Sequence, residues 1–130
     1  MIDLFKPFIP YKVKAEVLDT LNSRWIGQGP KVDLFEKKFS EKFHTKYSVA
    51  VNSGSAALET AYELVGIKPG DEVITTPLTC TATNIPLLRM GAKIVWADIK
   101  SDTLCINPKD VLAKVTSKTK AIVNVHLGGI

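Results

Sequence analysis

Glu72-Val73-Ile74-Thr75-Thr76, then Thr79 to Met90, then Gly91-Ala92-Lys93-Ile94-Val95-Trp96-Ala97 is the stretch that decides the fold. Two short runs rich in Val and Ile, with few polar residues inside them, read as strands covered on both faces. The longer segment between them reads as a helix, with Gly91 placed where a chain leaves a helix end. A strand, a helical crossover and a second strand favour parallel pairing, because a tight turn cannot join parallel neighbours.

Outward from this unit the alternation continues. Tyr47 to Val51 reads as a preceding strand, and Ser55 to Val65 as a helix with Ser53 as N-cap and Gly66 as its stop. Downstream, Asn107-Pro108 opens a short helix through Val111 to Val115, and Lys120 to Val125 reads as the last strand. Residues 47–130 therefore read as βαβαβαβ, an α/β layout with a mostly parallel sheet flanked by helices. Residues 1–46 read as a helical segment. In it Val13, Val17, Leu18 and Leu21 share one face of a helix ending near Trp25. Ile26-Gly27-Gln28-Gly29 then breaks the chain, and Pro30 opens a second helix with Val32, Phe35, Phe39 and Phe43 on one face. The last strand, finishing at Val125-His126-Leu127 before Gly128-Gly129-Ile130, leaves a sheet edge with nothing to cover it. The sheet is thus expected to be incomplete and the chain to be a piece of a longer domain.

Composition excludes several classes. With 45% apolar and 23% charged residues among 130, the chain has the makeup of a globular domain rather than a disordered one. The net charge of +4 is lysine spread along the chain, with only Arg24 and Arg89 as arginines and no basic run interleaved with aromatics, so no nucleic-acid partner is expected. No apolar run approaches the ~20 residues that span a bilayer, and Met1-Ile2-Asp3-Leu4 lacks the charge of a signal peptide, so no membrane partner and a cytoplasmic location are expected. Cys80 and Cys105 read as free thiols, and with His44 and His126 they form no metal-ligand spacing.

Two loops carry candidate chemistry. Asn52-Ser53-Gly54-Ser55 lies between an expected strand and helix, where backbone N–H groups and the helix dipole face the carboxyl end of the sheet and suit an anion. Gly54 allows close approach and the Ser55 hydroxyl adds a donor; the alternative is an ordinary capped turn. Thr75-Thr76-Pro77-Leu78-Thr79-Cys80-Thr81 is a hydroxyl-rich loop at the next carboxyl end, the edge where open α/β sheets bind ligands. Cys80 has no basic neighbour in sequence and reads as a buried or site-lining thiol rather than a nucleophile. His126 and Asp98, both at strand ends, read as structural. No catalytic residue is nominated.

The order of segments resembles the DegT/DnrJ/EryC1/StrS family of pyridoxal-phosphate-dependent sugar aminotransferases. The stretches that carry it are Trp25-Ile26-Gly27-Gln28-Gly29-Pro30 running into Phe35-Glu36, Val51 to Leu58, Pro69 to Ile74 with the Thr-rich loop and Gly91-Ala92, Val95 to Ile99, and Val125-His126-Leu127-Gly128-Gly129. The resemblance implies the N-terminal part of a fold-type I large domain, with Gly54 and Ser55 supplying donors to the phosphate of pyridoxal 5'-phosphate in the full-length parent. It places Cys80 where the family usually has an aromatic stacked on the pyridine ring. It also puts Ile26 and Gly27 near the substrate entrance at a homodimer interface. The implied substrates are a nucleotide-linked keto-sugar and an amino-acid donor, commonly glutamate. The family's aspartate facing the pyridine nitrogen and its cofactor-bonding lysine lie downstream of the Val-His-Leu strand, so these 130 residues alone are expected to be inactive. The competing expectation is a non-catalytic α/β domain that binds a phosphorylated ligand or a partner chain through the same loops.

Overall fold

The structure, a computed structural model, describes residues 6–130; the reading of Met1 to Leu4 lies outside them. The described chain divides into two compact units, one running up to Ala50 and one spanning Val51–Ile130.

In the first unit, α1 (Tyr11–Asn22) and α2 (Pro30–Phe43) form where the apolar spacing places them, with Pro30 at the first helical position of α2. No residue of either helix is buried. Phe35, Phe39 and Phe43 lie along one side of α2, their ring centroids 5.9 Å and 4.4 Å apart in succession. Tyr47 to Val51 is not a strand. Tyr47 and Val49 are 77% and 79% exposed, and the Ala50 N–H donates to the Glu36 carboxylate at 2.7 Å instead of to a neighbouring strand. A β-branched run becomes a strand only where a partner takes up its ladder bonds, and among the described residues this one has none.

The second unit contains α3 (Gly54–Val65), β1 (Glu72–Thr75), α4 (Thr81–Arg89), β2 (Lys93–Trp96), α5 (Pro108–Lys114), β3 (Thr119–Ile122) and a terminal 3-10 turn at Leu127–Gly129. The three strands are all parallel in the order β2-β1-β3. Ser53 caps α3 by accepting from the Ala56 N–H at 3.1 Å. Gly66, at φ 76°, ends α3 with Gly66 N–H to Glu63 C=O and Ile67 N–H to Tyr62 C=O, the paired bonds of a Schellman turn. Gly91 repeats this at the end of α4 with Gly91 N–H to Leu88 C=O and Ala92 N–H to Leu87 C=O. Asn107 caps α5 through the Lys109 N–H, as its place before Pro108 predicts.

Strand alternation builds two cores. Val73 of β1 packs with Tyr62, Ile67, Leu87 and Ala92 on the face covered by α3 and α4. Ile74, one residue on, packs with Ala97, Ile106 and Val111 on the α5 face. Both β1 side chains are fully buried, each contributing about 1.5–3 kcal/mol relative to exposure. β3 ends earlier than its sequence suggests. The Val123 N–H still reaches the Ile74 C=O at 2.8 Å, but β1 stops at Thr75 and the Thr76 C=O turns to Asn84, so Asn124 and Val125 find no ladder partner.

Candidate functional site

Parallel strands with intervening helices place the starts of α3 and α4 at the carboxyl edge of the sheet. α4 leaves the end of β1, and α3 returns to its beginning. Strand progression reverses at β1, since β2 lies on one side of it and β3 on the other. A crevice outside the carboxyl ends at such a reversal is where open α/β sheets take ligands.

At the start of α3 the Ala56 and Ala57 N–H groups are taken by the Ser53 side chain and carbonyl. Gly54 and Ser55 keep theirs without an acceptor among the described residues, as the first turn of a helix must unless something outside supplies one. Both residues are exposed, and a Cβ built on Gly54 meets nothing within 4 Å. This open approach, two unspent donors and the positive end of the dipole fit a phosphate group.

The neighbouring loop is held from beneath by a buried polar cluster. Thr75 Oγ1 donates to Asn84 Oδ1 at 3.2 Å, and Asn84 Nδ2 donates to the Thr76 C=O at 3.2 Å. The Tyr62 hydroxyl donates to the Thr83 C=O at 3.0 Å, and Thr79 and Thr83 share a hydroxyl contact of 2.8 Å. Thr75, Thr76, Thr83 and Asn84 are all buried, so these groups depend on one another for hydrogen bonds. Burial raises the Tyr62 phenol above its ordinary pKa and keeps it a neutral donor. Above the cluster Cys80 is the N-cap residue of α4. It is exposed, which corrects the buried alternative.

The cluster was not legible from motifs. Its one signal is Asn84 itself, a residue that disfavours helix interiors, set inside a helical run two residues before Pro86. Asp98 and His126 behave structurally. Asp98 Oδ1 accepts from the Ile99 N–H at 2.8 Å, and both ring nitrogens of His126 have partners, one of them the Asn124 amide at 3.2 Å. Lys93 opens β2 at the amino edge, bonded to Glu72 at 2.8 Å, and Lys68 lies in the turn before β1. Glu72 is buried, and hydrogen bonds from Lys93 and Thr116 hold its carboxyl below the ordinary carboxylate range. Among the described residues no group of three or more His, Cys, Asp or Glu is placed to hold a metal. A groove of about 570 Å³ on the α5 face is walled by Ile106, Val111, Leu112 and Ile122, with Lys100, Asn124 and His126 also lining it.

In the first unit, the Trp25 indole N–H donates to the Gln28 C=O at 2.7 Å and lies over Gly29, where a Cβ would fall 2.3 Å from Trp25 Nε1. That contact requires glycine at 29. It leaves Ile26 74% exposed and Gly27 with open space where a side chain would be.

The sequence profile of the DegT/DnrJ/EryC1/StrS aminotransferase family matches residues 9–130. The chain belongs to this family. Among its relatives, the spore coat polysaccharide biosynthesis protein SpsC of Bacillus subtilis is 46% identical over 99% of this chain and 35% of its own length. GDP-perosamine synthase of Escherichia coli is 37% identical over 98% and 35% respectively. A Streptococcus pneumoniae protein assigned as a sugar aminotransferase superposes in its PMP form with a TM-score of 0.90, at 38% identity over 99% of this chain and 33% of that one. Its PLP form gives 0.84 at 37% identity over 93% and 31%. The chain thus spans about a third of the length of the relatives it matches. The α/β fold with its parallel, helix-flanked sheet is that of the fold-type I aminotransferases, as the sequence leads one to expect.

Proposed function

We propose that the full-length protein is a pyridoxal-phosphate-dependent aminotransferase that moves an amino group from an amino acid, glutamate, to a nucleotide-linked keto-sugar. The observation that carries this reading is the start of α3, where Gly54 and Ser55 offer two free N–H donors to an open edge in a chain of this family. In this reading Gly54 and Ser55 hold the cofactor phosphate, their backbone donors and the Ser55 hydroxyl balancing its charge at the helix terminus. Cys80 lies against the ring where the family usually has an aromatic, so its contact is smaller and the phosphate grip carries more of the affinity. When bound, the cofactor supplies an electron sink for the amino-bearing carbon. No residue of this chain is assigned a covalent or proton-transfer role.

The Ile26-Gly27 tip, stiffened by Trp25 over Gly29, contributes to the sugar site. The protein is a homodimer in the cytoplasm, with neither nucleic acid nor membrane as partner. The exposed apolar residues of α1 and α2 favour association, and no helix of the described residues is long and apolar enough to cross a membrane.

Full-length protein mixed with pyridoxal phosphate is expected to develop visible absorption that glutamate shifts and a keto-sugar nucleotide restores. An unchanged spectrum, with phosphate-bearing ligands still bound, would favour a non-catalytic binding domain instead.

A further inference from the structure

We propose that Asn84 is a positioning residue: from beneath the carboxyl edge it fixes the β1–α4 loop in the arrangement that receives the cofactor. The inference rests on the reading that this edge is the cofactor site.

Asn84 spans two stretches of chain with one amide. Its Oδ1 accepts from the Thr75 hydroxyl and its Nδ2 donates to the Thr76 carbonyl, both at 3.2 Å. A carbonyl can only accept, so the Thr76 bond fixes which way the amide points, and Thr75 must then be the donor. The loop from Pro77 to Cys80, whose tip is exposed, is therefore closed at its base by two bonds inside the protein. Thr83, the adjacent residue, gives its carbonyl to the Tyr62 hydroxyl of α3 at 3.0 Å. Consecutive residues of α4 thus bond to β1, which launches the Cys80 loop, and to Tyr62 in the last turns of α3, eight residues after Gly54.

No other side chain replaces Asn84 here. Aspartate sets an acceptor against the Thr76 carbonyl, leucine has the shape but leaves Thr75 and Thr76 unsatisfied at 0% and 1% exposure, and glutamine is a methylene too long. Without the clamp the loop spends only part of its time in the competent arrangement. The apparent cofactor affinity then falls by that fraction, whatever the intrinsic contacts are worth.

The test is Asn84→Leu in the full-length protein, with pyridoxal phosphate as the probe, read by its dissociation constant, by the circular dichroism induced in its visible band, and by the melting temperature of the apoprotein. The expected result is a dissociation constant raised about tenfold, the loss of one buried hydrogen bond's worth of preorganisation, with the induced signal diminished. Thr75→Val should move both readouts the same way and Thr75→Ser should restore them, which decides the matter if Asn84→Leu fails to fold. Affinity within twofold of wild type and an unchanged induced signal, even with a lower melting temperature, would overturn the proposal by showing a merely structural role. A wild-type protein that binds no pyridoxal phosphate would overturn the underlying reading, and the inference with it.

Discussion

Gly54→Ala separates a binding glycine from a folding one. Gly54 opens α3 at a backbone conformation outside the left-handed region, and a Cβ there meets nothing within 4 Å. Alanine therefore fits the protein without strain, and the unfolded chain loses freedom, which stabilises the fold by roughly 0.4–1 kcal/mol. A phosphate drawn to the Gly54 and Ser55 N–H groups meets the new methyl in the space that glycine leaves open. Weakening one charged hydrogen bond costs about 1.5–3 kcal/mol, or about 10–150-fold in affinity. The two effects have opposite signs. Calorimetric melting of the full-length apoprotein should show equal or higher stability for Gly54→Ala, while titration with pyridoxal phosphate should show weaker binding by at least tenfold. Unchanged affinity would refute the cradle and return Ser53-Gly54-Ser55 to an ordinary capped turn; a loss of stability would refute the open-space argument.

Other outcomes follow from the same geometry. Cys80→Phe places a ring at an exposed cap position, and stacking worth about 0.5–1.5 kcal/mol should tighten cofactor binding by roughly 2–10-fold in an equilibrium titration. Gly29→Ala drives a methyl into the Trp25 indole and breaks its bond to Gln28, so the KM for the sugar nucleotide should rise severalfold in steady-state assays while cofactor affinity holds. Glu72 has a carboxyl pKa lowered in the fold by Lys93 and Thr116, so its contribution is complete above the unfolded value of about 4.3 and lost as pH falls through the lower folded value. Thermal midpoints measured against pH should drop over that acid window, and Glu72→Gln should flatten the drop.

The elements that satisfy their own hydrogen bonds were legible in the sequence. The α3 cap at Ser53, the Gly66 and Gly91 stops and the Asn107-Pro108 start all appear where local rules put them, because capping is decided within a few residues. Tyr47 to Val51 has strand composition yet forms no ladder, since pairing depends on a neighbour that local sequence does not specify. The same holds for the site. The Ser53 to Ser55 turn and the threonine loop announce themselves by residue type and position, whereas the Thr75–Asn84–Thr76 clamp joins residues that only the fold brings together.

The most direct test is an experimental structure of the full-length protein with pyridoxal phosphate. The phosphate oxygens should lie about 3 Å from the Gly54 and Ser55 backbone nitrogens, with the ring facing Cys80. A phosphate bound away from the start of α3 would contradict the assignment of this edge as the cofactor site.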